Sequence, residues 1–166
     1  LHEAPVPATQ VDISPAGRAI WKAIETAALD AIGGWPQGRR LEILMIGAPP
    51  ISVIDQLCRQ PGLARLTVTD AEEGVVESVK QRTKSHPCLR VAQMEDVLSK
   101  SSYDLVLVGD GLARLGDDQL GVVVAALSSG GLFLAAEPAP DLLSDLRQGV
   151  SQDWWTETLT AEAPIG

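Results

Sequence analysis

The sequence predicts an α/β domain, with a mainly parallel sheet and helices on both faces. Three observations carry this. Short apolar runs at Leu41 to Ile46, Leu66 to Thr69, Leu89 to Ala92, Tyr103 to Val108 and Leu132 to Ala136 alternate with stretches of helical periodicity. Most of these runs are continuously apolar, which marks strands buried on both faces. Strand–helix alternation implies right-handed crossovers, and those make neighbouring strands parallel.

The elements follow in order. Residues 1–14 read as an extended linker broken by Pro5 and Pro7. Ser14 is placed to cap a helix, and Pro15 suits its first position. Ala16, Ala19, Ile20, Ala23, Ile24, Ala27, Ala28, Ala31 and Ile32 recur at helical spacing, and Gly33-Gly34 ends the run. Trp21 and Trp35 flank this helix as packing residues. Ile51, Ile54, Leu57 and Cys58 fit a helix ending near Pro61, and Ala71 to Thr83 a helix buried through Val75, Val76 and Val79. Asp117 to Leu127 reads as a helix closed by Gly130-Gly131, and Asp141 to Gln148 as the last helix. The domain is expected over residues 15–150, with a C-terminal tail over 151–166.

Composition limits the function. The chain has 166 residues, 45% of them apolar and 21% charged, as in an ordinary single globular domain. The formal charge of −9 disfavours phosphate backbones and anionic membranes, so neither nucleic acid nor a membrane is expected as partner. No apolar run approaches the ~20 residues that span a bilayer. Leu1 to Gln10 lacks the basic and apolar regions of a signal peptide, and the start reads as that of an excised piece. Cys58 and Cys88 are too few for a disulfide scaffold and are expected as reduced core residues, which implies the cytoplasm.

In parallel α/β sheets ligands bind beyond the carboxyl ends of the strands. The turn after the first strand is Gly47-Ala48-Pro49-Pro50-Ile51-Ser52. Asp70 closes the second strand, Glu95 and Asp96 follow the third, Gly109-Asp110-Gly111-Leu112-Ala113 the fourth, and Glu137-Pro138 the fifth. This ordered set resembles the class I S-adenosylmethionine-dependent methyltransferases, and so a Rossmann-like methyltransferase fold. The stretch Leu134-Ala135-Ala136-Glu137-Pro138, then Leu142 to Gly149, then Asp153-Trp154-Trp155, is similar to the end of carbon-methyltransferase domains in modular polyketide synthases.

The resemblance also locates departures. In that family the first strand ends in Glu and a Gly-x-Gly-x-Gly loop follows. Here Met45 stands for the Glu, and Gly47 is followed by Pro49 and Ile51 where the next two glycines belong. Proline fixes φ and has no N–H, so two prolines remove two amides from a cradle that depends on them. The family's general base is a His after the fourth strand; here Leu112 is followed by Ala113, which takes no proton. His2 and His86 are not at strand carboxyl ends. Five strands are placed where the family has seven, and only one helix precedes them, so the domain is expected to be reduced at both ends or to be a cut fragment.

The resemblance implies Gly47, Asp70 and Asp96 as vestigial cofactor-binding positions: Asp70 the ribose acid, Asp96 the residue near the adenine amino group. Beside this stands a plainer reading, in which each acid only caps a helix. Asp110 equally suits a routine Gly-Asp-Gly turn. Trp154 and Trp155 are expected to anchor the tail. The expected function is a non-catalytic pseudo-methyltransferase, a structural domain in a multidomain polyketide synthase, with no cofactor and with neighbouring domains of the same synthase as partners. The alternative is an active carbon-methyltransferase with atypical motifs that uses S-adenosylmethionine, with Asp110 as base. A receiver or dinucleotide-binding module is disfavoured: the first strand lacks an acid, and the glycines of a dinucleotide site are missing.

Overall fold

A computed structural model of the chain describes residues 15–36, 38–83, 86–98, 102–109, 112, 115 and 117–136. The linker, Asp110, Ala113, Glu137-Pro138, the last expected helix and the Trp-Trp tail lie outside the described residues. In chain order the elements are α1 (Pro15–Gly33), β1 (Leu41–Ile46), α2 (Ile51–Cys58), β2 (Leu63–Thr69), α3 (Glu73–Arg82), β3 (Leu89–Val91), α4 (Met94–Leu98), β4 (Tyr103–Gly109), α5 (Asp117–Ala125) and β5 (Leu127–Ala136).

The five strands form one sheet, ordered β3-β2-β1-β4-β5, and every neighbouring pair is parallel. The order reverses between β1 and β4, which places a crevice at the carboxyl ends of the central strands. Strand periodicity divides the core in two. Ile43 and Met45 of β1, with Leu105 and Leu107 of β4, face a cluster built from α1, α2 and α3. Leu44, Ile46, Val106 and Val108 face the opposite cluster, with α4 and α5. Helices therefore cover both faces, as expected from the continuous apolar runs.

Three expectations need correction. The buried stripe of α1 is Gly17, Ile20, Trp21, Ile24 and Ala28, whereas Ala16, Ala19, Ala23 and Ala27 are exposed. A Trp and two Ile remove more apolar surface than alanines do, so they set the rotation of the helix. Second, Gly130-Gly131 does not close a helix but lies inside β5. Tyr103 pairs with Leu127 and Leu105 with Leu132, so extra residues loop out of β5 there. Gly130, at φ +77°, supplies the left-handed turn this bulge needs. Third, α4 is a helix where none was expected; five residues carry too little periodicity to announce one.

The amino-terminal rim of the sheet is tied by one carboxylate. Asp104 is buried at the start of β4. It accepts hydrogen bonds from the Arg39 guanidinium, from the Glu42 N–H at 3.1 Å and from the Ser128 hydroxyl at 2.9 Å. It thereby joins β1, β4 and the bulge of β5. Arg39 also lies 5.4 Å over the Trp35 ring.

Candidate functional site

At the carboxyl rim, a cleft of about 610 Å³ opens beyond β2 and β3. Asp70 and Ala71 line it from the end of β2, and Gln93, Met94 and Glu95 from the end of β3. Glu73 of α3 and Asp118, Gln119 and Val122 of α5 complete it. Asp70 is only 5% exposed. Its Oδ1 accepts the Glu72 N–H at 2.8 Å, which sets the turn into α3. The cleft thus holds apolar surface from Ala71, Met94 and Val122, ringed by Asp70, Glu73, Glu95 and Asp118. Four carboxylates repel phosphate-bearing nucleotides and favour a neutral or cationic ligand.

The second part of the rim is the turn after β1. Gly47 adopts φ +119°, open to glycine and strained for other residues. A Cβ built there would stand 2.7 Å from the Gly109 carbonyl oxygen and 3.1 Å from Trp21 Cζ2. A Cβ on Gly109 would meet the same indole at 2.6 Å. Trp21 is 1% exposed and seats its ring edge across the ends of β1 and β4. Gly109 is therefore required by contact with Trp21, and Gly47 by its φ and the Gly109 carbonyl oxygen, so backbone geometry and packing account for Gly47. The Gly47 N–H donates to the Thr69 carbonyl at 3.0 Å. Pro50 precedes α2 without a side-chain cap, and its carbonyl accepts from the N–H groups of Val53 and Ile54. Pro49 and Pro50 contribute no N–H. The amides left at this turn are those of Ala48, Ile51 and Ser52.

The three residues expected at the site are separated. Asp70 lines the cleft. Gly47 lies at the Trp21 seam. Asp96 is exposed on the first turn of α4, whereas its neighbour Glu95 lines the cleft. Met45 is fully buried in the core on the α1 side. His86 sits at the amino end of β3 and pairs with Asp55 at 2.8 Å. Among the described residues no group of three or more His, Cys, Asp or Glu is arranged to hold a metal ion, and no helix is long and apolar enough to cross a membrane. Glu73, Asp118 and Trp21 had no sequence signal tying them to the rim. They meet there only through the topology.

The sheet order and the crevice at its carboxyl rim are those of a Rossmann-like α/β fold, and methyltransferases are among the solved structures that share it. Among solved structures, the chain is similar to the CurJ carbon methyltransferase, with TM-score 0.68 and 17% identity over 95% of this chain and 46% of that one. It is also similar to the CMeT domain of the citrinin polyketide synthase, with TM-score 0.64 and 19% identity over 90% of this chain and 47% of that one. The chain thus spans about half the length of each. A third similar structure is the N-methyltransferase NodS from Bradyrhizobium japonicum WM9 in complex with S-adenosyl-L-homocysteine, with TM-score 0.53 and 23% identity over 76% of this chain and 64% of that one. No protein-family model and no curated protein matches the sequence.

These structures correct the expectation of no cofactor. Among structures of this fold, one is an S-adenosylmethionine-dependent methyltransferase and two were solved with S-adenosyl-L-homocysteine, which overturns that expectation. The residues present fit the nucleoside half of S-adenosylmethionine. Asp70 is placed to accept ribose hydroxyls, and Ala71, Met94 and Val122 offer apolar surface to a base. The turn after β1 offers few donors to the remainder of the group, because Pro49 and Pro50 carry no N–H. The cleft itself is built from other turns.

Proposed function

We propose that this chain is a methyltransferase-fold domain of a polyketide-type multidomain synthase, structural in role, which performs no carbon methylation itself. The turn after β1 carries the reading. Its prolines remove amides that would hold the amino-acid end of the cofactor, and Trp21 closes the seam behind Gly47. Two further observations support it. Ala113 stands where the resemblance expects the general base, and carbon methylation needs a group to accept the proton from the nucleophilic carbon. Similarity to the CMeT domain of the citrinin polyketide synthase supports the synthase context. Neighbouring domains of the synthase as partners and a cytoplasmic setting belong to this proposal.

Bound S-adenosylmethionine would supply an electrophilic methyl group, so the decisive experiment separates holding the cofactor from using it. The chain is titrated calorimetrically with S-adenosylmethionine, then incubated with methyl-labelled cofactor and a β-ketoacyl thioester. The expected result is no label on the acyl carbon, whatever the heat of binding. Label transferred to carbon above the enzyme-free control overturns the proposal in favour of an active methyltransferase with atypical motifs. The acid-lined cleft favours that second reading.

A further inference from the structure

Cys58 closes α2, and Cys88 stands immediately before β3. They are thirty residues apart in sequence, yet their Sγ atoms lie 2.7 Å apart. Both are free and half-buried, and Cys58 packs against the edge of the core. Two independent contacts hold the segments in this register. The Cys88 carbonyl accepts the Leu66 N–H at 2.8 Å, the first rung between β2 and β3. His86 Nε2 meets Asp55 Oδ1 at 2.8 Å, joining the same helix to the same segment. Val53, Ile54 and Leu57 anchor α2 in the core, so Cys58 cannot drift from its partner without disturbing that packing.

We propose that Cys58 and Cys88 are a reversible redox pair, closed to an intramolecular disulfide by a small-molecule disulfide of the glutathione type, and that the bond fastens edge strand β3 to α2. The exchange balances. One thiolate attacks the outside disulfide, forming a mixed disulfide and releasing one thiol. The second thiolate attacks the protein sulfur of that intermediate, closing the internal bond and releasing the other thiol. Two electrons and two protons pass from the protein thiols to the small molecule. Burial, then the Cys88 thiol and the Asp55 carboxylate, push the Cys58 thiol up to about 12. Its thiolate is scarce at neutral pH, so exchange is expected to quicken as pH rises.

β3 gains most from such a bond. It is three residues long and, among the described residues, lies at the edge and pairs with β2 alone. The carboxyl ends of β2 and β3 carry Asp70 and Glu95 into the cleft, so fastening their amino ends steadies one wall of it.

The test uses the full chain equilibrated in glutathione buffers of graded ratio, quenched by alkylation and read by intact mass and non-reducing electrophoresis. The expected product is a monomer two hydrogens lighter, with no glutathione attached and no alkylatable thiol, restored by dithiothreitol. Cys58→Ser and Cys88→Ser are each expected to carry one glutathione and never to yield that species. Two alkylatable thiols at every ratio overturn the proposal, as does accumulation of mixed disulfides or dimers in its place. The fastening role has its own readout. Amide exchange at Leu66 and Ala92, whose N–H groups bond Cys88 and Val68, is expected to slow about tenfold on oxidation. Unchanged exchange overturns that role.

Discussion

Asp104 and Asp70 are buried almost equally, at 6% and 5% exposure, on opposite rims of one sheet. At the amino rim, Asp104 is enclosed by protein donors from β1, from the loop before it and from β5. At the carboxyl rim, Asp70 accepts the Glu72 N–H of its own turn and lines a cleft with three other carboxylates. The sequence offers two buried acids, and their surroundings separate them. Asp104 ties the strands of its rim together. Asp70 sets a turn and also lines a cleft.

The two rims can be pulled apart by mutation. The largest effect is expected from Trp21→Ala, which empties the seam between β1 and β4. Loss of a buried Trp costs about 3–5 kcal/mol, read from urea unfolding. An effect below 1 kcal/mol would mean that the indole does not close the seam. Asp104→Ala leaves Arg39, the Glu42 amide and Ser128 without their acceptor and is expected to cost about 2–4 kcal/mol by the same measurement. Gly109→Ala forces a methyl against the Trp21 ring and should cost about 1–3 kcal/mol, largely relieved in the Trp21→Phe background.

Asp70→Ala sharpens the contrast from the other side. Removing the turn bond costs about 1 kcal/mol of stability. Any S-adenosylmethionine affinity seen by calorimetry should fall about tenfold or more. A stability loss as large as that of Asp104→Ala, with affinity unchanged, would make Asp70 a structural acid as well. The smallest effect lies in the reduced protein above neutral pH. The Cys58 thiol titrates near its ordinary value of 9.0 when unfolded and is raised to about 12 when folded. Its contribution is full below about pH 9 and is lost as pH rises toward about 12. Cys58→Ala should flatten that decline in alkaline thermal melts.

The central strands β1 and β4 were legible because each is a nearly continuous apolar run, above all β4, where all seven residues are buried. The bulge in β5 was not, because glycine pairs serve helix ends and bulges alike, and only pairing with Tyr103 and Leu105 distinguishes them. At the site, Asp70 was legible from its place at the end of a strand. Glu95 and Asp96 are adjacent in sequence, but a helical turn rotates successive residues by about 100°, so one reaches the cleft and the other faces solvent. Glu73 and Asp118 reach the cleft from helices 45 residues apart, which no local pattern encodes.

The contact between Gly47 and Trp21 has a consequence for anyone redesigning the turn after β1. Glycines installed at positions 49 and 51 would add flexibility and one N–H donor to the loop. Gly47 would still turn its bare side inward, toward the Gly109 carbonyl and the indole. Redesign therefore begins on the first helix, nearly thirty positions upstream, and a change confined to the loop would redecorate a doorway that opens onto a wall.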